Sequence, residues 1–277
     1  MFDFFPRSRR VRGEAKPAIP AGYRVYAVGD VHGRLDLLDE LLARIDADSQ
    51  AREPAKTVKT IVIFLGDLID RGPSSAEVIE RLRTYRRPGV RPVFLTGNHE
   101  EVLLRLLRGE GQFLADWLRF GGAECARSYG IDTVAIKSMA PSRAVQLLRD
   151  KVPAAHKAFL ESFVDTFQVG DYLFVHAGIR PGVELDEQSQ TDLRWIRSPF
   201  LECESLHGFI VVHGHTISEN VQVLANRIGL DTGAYRSGIL TALGLQGTDR
   251  WFLQTGLAST SNPMTSPDRL AVGEKVV

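Results

Sequence analysis

Three times between residues 23 and 107, an apolar run of strand length ends in a glycine-flanked polar loop and then passes into an amphipathic helical pattern. The runs at 23–28, 60–65 and 90–96 read as strands. Leu35, Leu38, Leu41, Leu42 and Ile45 keep the 3.6-residue period of a helix, Val78, Ile79 and Leu82 repeat it from about Ser74, and residues 101–107 open a third. Strand, loop and helix in strict alternation predict parallel strands joined by right-handed crossovers, an α/β fold. With 277 residues the chain is long enough for one large domain with a well-buried core.

Residues 109–167 break this rhythm with helical patterns at 113–120, 123–129, 142–150 and 153–164 and no strand, and are read as a helical insertion at the rim of the loops. A strand at 172–175, a helical turn holding Leu193, Trp195 and Ile196, and a strand at 209–212 follow. Four short runs near Val221, Ile228, Ile239 and Trp251, separated by Asn/Gly turns, predict an antiparallel meander. The expected whole is two packed mixed β-sheets flanked by helices, spanning 22–256. Residues 1–21, basic and proline-rich, read as a flexible arm, and 257–277 as a flexible tail.

Thirty-four basic residues balance 34 acidic ones, so no global field draws the chain to nucleic acid or to an anionic membrane. The longest apolar runs fall far short of the ~20 residues that a membrane span needs, which excludes integral membrane association. Cys125 and Cys203 form no Cys-x-x-Cys pair and read as free thiols in a reducing compartment. The N-terminus places phenylalanines before arginines, the wrong layout for a secretory signal, and a cytoplasmic location is expected.

The chemistry lies in the loops. Asp30, His32, Asp67 and Asn98 stand within a few residues of a strand's last apolar residue, at the edge where the loops of a parallel sheet converge. His176 and His215 follow later strand-like runs. Carboxylate, imidazole and amide together suit divalent Mn, Fe or Zn, and the absence of thiolate argues against a structural zinc. Asp67 is best placed to bridge two such ions, which can share a carboxylate and a hydroxide able to attack phosphorus in line. Each piece alone is ordinary turn composition; five in one chain, all at strand ends, are not. His156 and His207 read as structural, and His213, two residues before His215, is a weaker candidate for the same site. No phosphate-binding Gly-x-x-x-x-Gly-Lys loop, Gly-x-Gly-x-x-Gly fingerprint, His-Glu-x-x-His or Gly-x-Ser-x-Gly elbow is present.

The series Gly29-Asp30-Val31-His32-Gly33, Gly66-Asp67-Leu68-Ile69-Asp70-Arg71-Gly72, Gly97-Asn98-His99-Glu100, Val175-His176-Ala177-Gly178-Ile179 and Gly214-His215-Thr216 resembles the calcineurin-like metallophosphoesterases. Within them it is most similar to the bacterial phosphoprotein phosphatases that include the phage lambda enzyme. The match runs from about Val25 to Leu245. The resemblance implies one metal held by Asp30, His32 and Asp67 and a second by Asp67, Asn98, His176 and His215. It makes His99 the general acid, oriented by Asp70, and gives the phosphate oxygens to Arg71 and Arg197. Arg194 competes with Arg197 for that place, and Asp231-Thr232-Gly233 is assigned to architecture. Phosphoproteins or phosphopeptides are the implied substrates. Related enzymes that split diadenosine tetraphosphate symmetrically typically carry Ala at the position of Asp70 and Asp at that of Glu100, so nucleotides are the alternative.

Overall fold

The computed structural model of the chain describes residues 16–52 and 58–256. The N-terminal arm as far as residue 15 and the tail from 257 lie outside the described residues. Residues 16–21, read with the arm, are described: Ala18 N–H donates to Asp171 at 2.9 Å, Ile19 N–H donates to the Gly247 carbonyl at 2.8 Å, and the Ile19 side chain is buried.

The first half alternates as its periodicity predicts: β1 (Tyr23–Val28), α1 (Leu35–Arg52), β2 (Lys59–Phe64), α2 (Ser75–Arg83), β3 (Val90–Phe94) and α3 (Asn98–Arg108). The insertion comprises α4 (Leu114–Trp117), α5 (Ala123–Ser128), α6 (Thr133–Ser138), α7 (Pro141–Lys151) and α8 (Ala154–Leu160), with a π-type turn at Leu118–Gly122 between α4 and α5. Then come β4 (Thr166–Val169), β5 (Tyr172–Val175), α9 (Gln190–Trp195), β6 (Ile210–His213), β7 (Gln222–Val223), β8 (Arg227–Gly229), α10 (Ala234–Ser237), β9 (Thr241–Gln246) and β10 (Asp249–Gln254).

Two five-stranded mixed sheets result, ordered β10-β9-β1-β2-β3 and β4-β5-β6-β8-β7. Strands β1, β2 and β3 run parallel in one sheet and β5, β6 and β8 in the other; β9 pairs antiparallel with β1 and with β10 in the first, and β4 and β7 are antiparallel edges of the second. The two-residue period of a strand sends alternate side chains to opposite faces. Val25, Ala27, Ile61 and Ile63 pack inward against Tyr172, Phe174, Val212 and Ile228 of the second sheet, while Tyr26, Val28, Val62 and Phe64 face α1, α2 and α3. The insertion joins that outer cluster through Leu114, Trp117, Leu118, Cys125 and Ala126, and so covers the helical layer beside the loops.

Three local expectations are corrected. Helix α3 starts at Asn98 rather than 101, because Glu100 folds back to accept the Gly97 N–H at 2.9 Å; the apolar period shows only from Val102 onward, so the polar first turn was invisible to it. The last two residues assigned to the insertion begin β4, a half-buried edge strand whose short length left no clear alternation. The four late strands form no single meander: β7 and β8 pair in one sheet, β9 and β10 in the other, and β8 runs parallel to β6.

Candidate metal centre

Strands β1, β2, β3, β5 and β6 all end at one edge of the sandwich, and the loops beyond them bring Asp30, His32, Asp67, Asn98, His176 and His215 together, each of them buried. Asp67 lies at the centre. Its carboxylate is 3.6 Å from His32 Nε2, 3.4 Å from His176 Nε2 and 3.8 Å from His99 Nε2. Asn98 Oδ1 lies 3.0 Å from His176 Nε2 and 2.9 Å from His215 Nδ1, and Asp30 Oδ2 accepts the backbone N–H of His215 at 3.0 Å.

The backbone is bent to achieve this. Among the described residues, the non-glycine positions with a left-handed backbone are His32, Asp67, Asp70, Arg71 and His215, at φ of 45°, 49°, 69°, 67° and 63°, and all five belong to this edge. Such a conformation costs a non-glycine residue about 1–2 kcal/mol and persists only where surrounding bonds impose it. Glu100 supplies several of those bonds by accepting the N–H groups of Asp67, Leu68 and Gly97 at 2.8, 2.8 and 2.9 Å. Gly97 is needed for a different reason: a Cβ there would collide with the Asp67 carboxylate.

The donor set fits divalent cations. His32 Nδ1 faces the Ile69 carbonyl and His176 Nδ1 the Leu65 carbonyl, both at 2.8 Å; a carbonyl only accepts, so each Nδ1 carries the ring proton. Burial, the largest influence, pushes both rings down, His32 to about 3, so each is neutral and turns an Nε2 lone pair toward the Asp67 carboxylate. Lone pairs facing a carboxylate repel unless a cation lies between them. A backbone bond at the second nitrogen is the usual means of fixing a ligating imidazole. Burial likewise lowers His215, to about 3. Asp30 Oδ1, His32 Nε2 and His215 Nε2 are buried without hydrogen-bond partners. Burial and the like charges of Asp231 and Asp67 push Asp30 well above the ordinary carboxylate range, a crowding that positive charge relieves. Asp67 is common to two sets of closely spaced donors, one with His32 and His99 and the other with His176 and His215; of these, His99 is set apart by its protonation.

His99 behaves differently from the other imidazoles. Burial would lower it, but Asp67 and a 2.7 Å bond from its Nδ1 to Asp70 outweigh that and raise it to about 9. It is therefore the imidazole of this cluster that carries two protons at neutral pH. Arg71 Nη2 lies 3.3 Å from His99 Nε2, and the Arg71 guanidinium sits 4.9 Å over the Tyr235 ring. Of the two competing arginines, Arg194 is committed to Asp165 at 2.7 Å and Glu101 at 3.4 Å. Arg197 is exposed, makes no ion pair among the described residues, and places its charge where it helps lower His176 and His215. His213 stays outside the cluster, its ring edge-on to Phe200 at 5.1 Å.

Sequence reasoning passed over Tyr235 and Trp117 and gave Asp231 to architecture alone. Asp231 is buried, accepts the Gly233 N–H at 2.9 Å through Oδ1, and leaves Oδ2 without a partner near Asp30. Its signal was available: Asp231 follows a parallel strand, as the other carboxylates do, but β8 had been read as antiparallel. Tyr235 stands edge-on to His32 at 5.5 Å. Trp117 donates its indole N–H to Asp70 Oδ2 at 3.0 Å from the insertion, and nothing in the sequence pairs two residues so far apart.

Paired sheets with a buried carboxylate-imidazole cluster at the ends of their parallel strands define a metal-dependent phosphoester hydrolase. The chain belongs to the calcineurin-like phosphoesterase family, whose model matches residues 23–235. It is 29% identical over 227 residues to serine/threonine-protein phosphatase 2 of Escherichia coli (strain K12), covering 78% of this chain and 90% of that protein. To the symmetrical bis(5'-nucleosyl)-tetraphosphatase of Janthinobacterium sp. (strain Marseille) it is 26% identical over 281 residues, covering 86% and 98%. Among solved structures, a cold-active protein tyrosine phosphatase superposes with a TM-score of 0.53 at 20% identity, covering 85% of this chain and 81% of that one, a likeness of fold.

Proposed function

We propose that the chain is a two-metal phosphomonoester hydrolase that removes phosphate from phosphoserine, phosphothreonine or phosphotyrosine in proteins. The observation that carries this is the buried His99–Asp70 pair, 2.7 Å between Nδ1 and Oδ2, beside Asp67. An alkoxide is a poor leaving group and needs a proton as the P–O bond breaks, whereas the phosphate released from a phosphoanhydride needs it far less. A dedicated, doubly protonated imidazole is thus worth more to a phosphomonoesterase than to a dinucleotide hydrolase.

In this mechanism Asp30, His32 and Asp67 would hold one divalent cation and Asp67, Asn98, His176 and His215 the other, with manganese the first choice. Such ions supply a nucleophile near neutral pH and offset the charge on the phosphoryl oxygens. Arg71 and Arg197 bind phosphate oxygens through the fixed fork of guanidinium donors. Arg71 Nη2 and His99 Nε2, 3.3 Å apart, present two neighbouring donors to the substrate. His99 then passes its Nε2 proton to the departing oxygen, and the Asp70 carboxylate at Nδ1 holds the ring in place until that moment.

Symmetrical cleavage of bis(5'-nucleosyl) tetraphosphates is the second reading, favoured by the relative of that name whose length the chain covers almost entirely. Assay of the purified protein with manganese on phosphopeptides and on diadenosine tetraphosphate separates the two. A higher kcat/KM on phosphopeptides is expected; faster turnover of the dinucleotide would overturn the first reading.

A further inference from the structure

We infer that Trp117 of the helical insertion is a positioning residue for the His99–Asp70 pair, so that the insertion completes the acid machinery besides bordering it. Trp117 and Asp70 are buried, and one oxygen, Asp70 Oδ2, accepts both the Trp117 indole N–H at 3.0 Å and the His99 Nδ1–H at 2.7 Å. No Lys or Arg pairs with the carboxylate among the described residues; besides His99, its side-chain hydrogen-bond partners are the Trp117 indole N–H at 3.0 Å and the weakly donating Cys125 thiol, both from the insertion, and the indole is the stronger donor. A buried carboxylate with too few donors gives up its charge or turns away, and in either case the acid loses its orientation.

The turn that carries Trp117 is fitted to the same loop. The Gly121 carbonyl accepts the Arg71 N–H at 2.9 Å, and Gly121 has a left-handed backbone at φ 113°. A Cβ on Gly121 would come within 2.5 Å of Arg71 Cγ and 2.7 Å of its N, and one on Gly122 would collide with the Trp117 ring. A single turn of the insertion thus fixes two successive residues of the Asp70-Arg71 loop, both themselves left-handed. Trp195 and Trp251 also donate to carboxylates, Glu101 at 3.1 Å and Asp48 at 2.9 Å, but neither acceptor touches His99.

The role of Trp117 rests on His99 being the general acid, and the test keeps the two apart. With manganese, kcat is measured for an alkyl phosphate and for 4-nitrophenyl phosphate in the unaltered chain, Trp117→Phe and His99→Ala. Trp117→Phe keeps the ring packing and removes the donor, and is expected to lower the alkyl-to-aryl ratio of kcat by about tenfold, the order of one charge-assisted hydrogen bond, with a larger drop in His99→Ala. A ratio lowered in His99→Ala but unchanged in Trp117→Phe overturns the positioning role alone. A ratio unchanged in His99→Ala overturns the acid assignment and the inference with it. Should Trp117→Phe fail to fold, indole N–H resonances decide: one of the three tryptophans is expected to move upfield in Asp70→Asn, and no movement overturns the inference.

Discussion

Glu100 accepts the backbone N–H of Asp67 at 2.8 Å, and the same carboxylate takes the N–H groups of Leu68 and Gly97, so one side chain on α3 holds the loop at the end of β2 in its left-handed turn. An amide cannot accept all three. Glu100→Gln is expected to lose about 1–3 kcal/mol of stability in thermal unfolding of the metal-free chain. Manganese affinity by calorimetry should weaken about 10- to 100-fold, as when the support of a metal ligand is removed. Wild-type affinity in the variant would show that the loop holds itself.

Asp67 is the carboxylate common to both groups of candidate ligands. Asp67→Asn keeps the shape but removes a charge that three neighbouring imidazoles surround. Hydrolysis should fall by at least about 10³-fold, and bound manganese, measured by native mass spectrometry, should drop below two per chain. Normal turnover with full metal content would exclude a shared carboxylate.

Much of this site was legible because strand periodicity and loop composition are local properties. Asp30, His32, Asp67 and Asn98 are found from the residues just before them, and β1, β2 and β3 show their direction through the helices between them. Glu100 was visible only as a letter that differs between related enzymes; its work on the Asp67 loop depends on α3 starting at Asn98, a boundary that the apolar pattern missed. Asp231, assigned to architecture by the resemblance, follows β8, whose direction is settled by pairing Val211 with Arg227 and Val212 with Ile228 across the sheet, a non-local choice. Trp117 reaches Asp70 across 47 residues, and only the packed insertion shows it.

His213 gives a pH dependence of stability. Burial, helped by the charge of Arg227, lowers its pKa to about 4, against about 6.5 in an unfolded chain. Between these values the unfolded chain binds a proton that the folded chain does not. Stability contributed by neutral His213 is therefore full above about pH 6.5 and is lost as pH falls toward 4, amounting to about 2 kcal/mol by pH 5. His32 and His215 act in the same direction but are common to both proteins when wild type and His213→Asn are compared by urea unfolding at pH 7.5 and 5. The wild type should lose about 2 kcal/mol more than the variant; equal losses would mean that His213 is hydrated when folded.

Arg194 and Arg197 are three residues apart and chemically identical, yet their surroundings assign them opposite work. Arg194 spends its guanidinium on Asp165 and Glu101, joining α9 to the residues around β4 and to α3. Arg197 is left unpaired among the described residues while its charge reaches His176 and His215. Arg197→Ala is expected to lower kcat/KM for a phosphopeptide by about 10- to 100-fold, the value of a charge-assisted bond to phosphate, with little change in melting temperature. Arg194→Ala should lower the melting temperature, because it takes an ion pair from each of two partly buried carboxylates, and should change kcat/KM by less than about threefold. Steady-state kinetics and thermal unfolding on the same two variants decide it, and the reverse pattern would give the phosphate to Arg194.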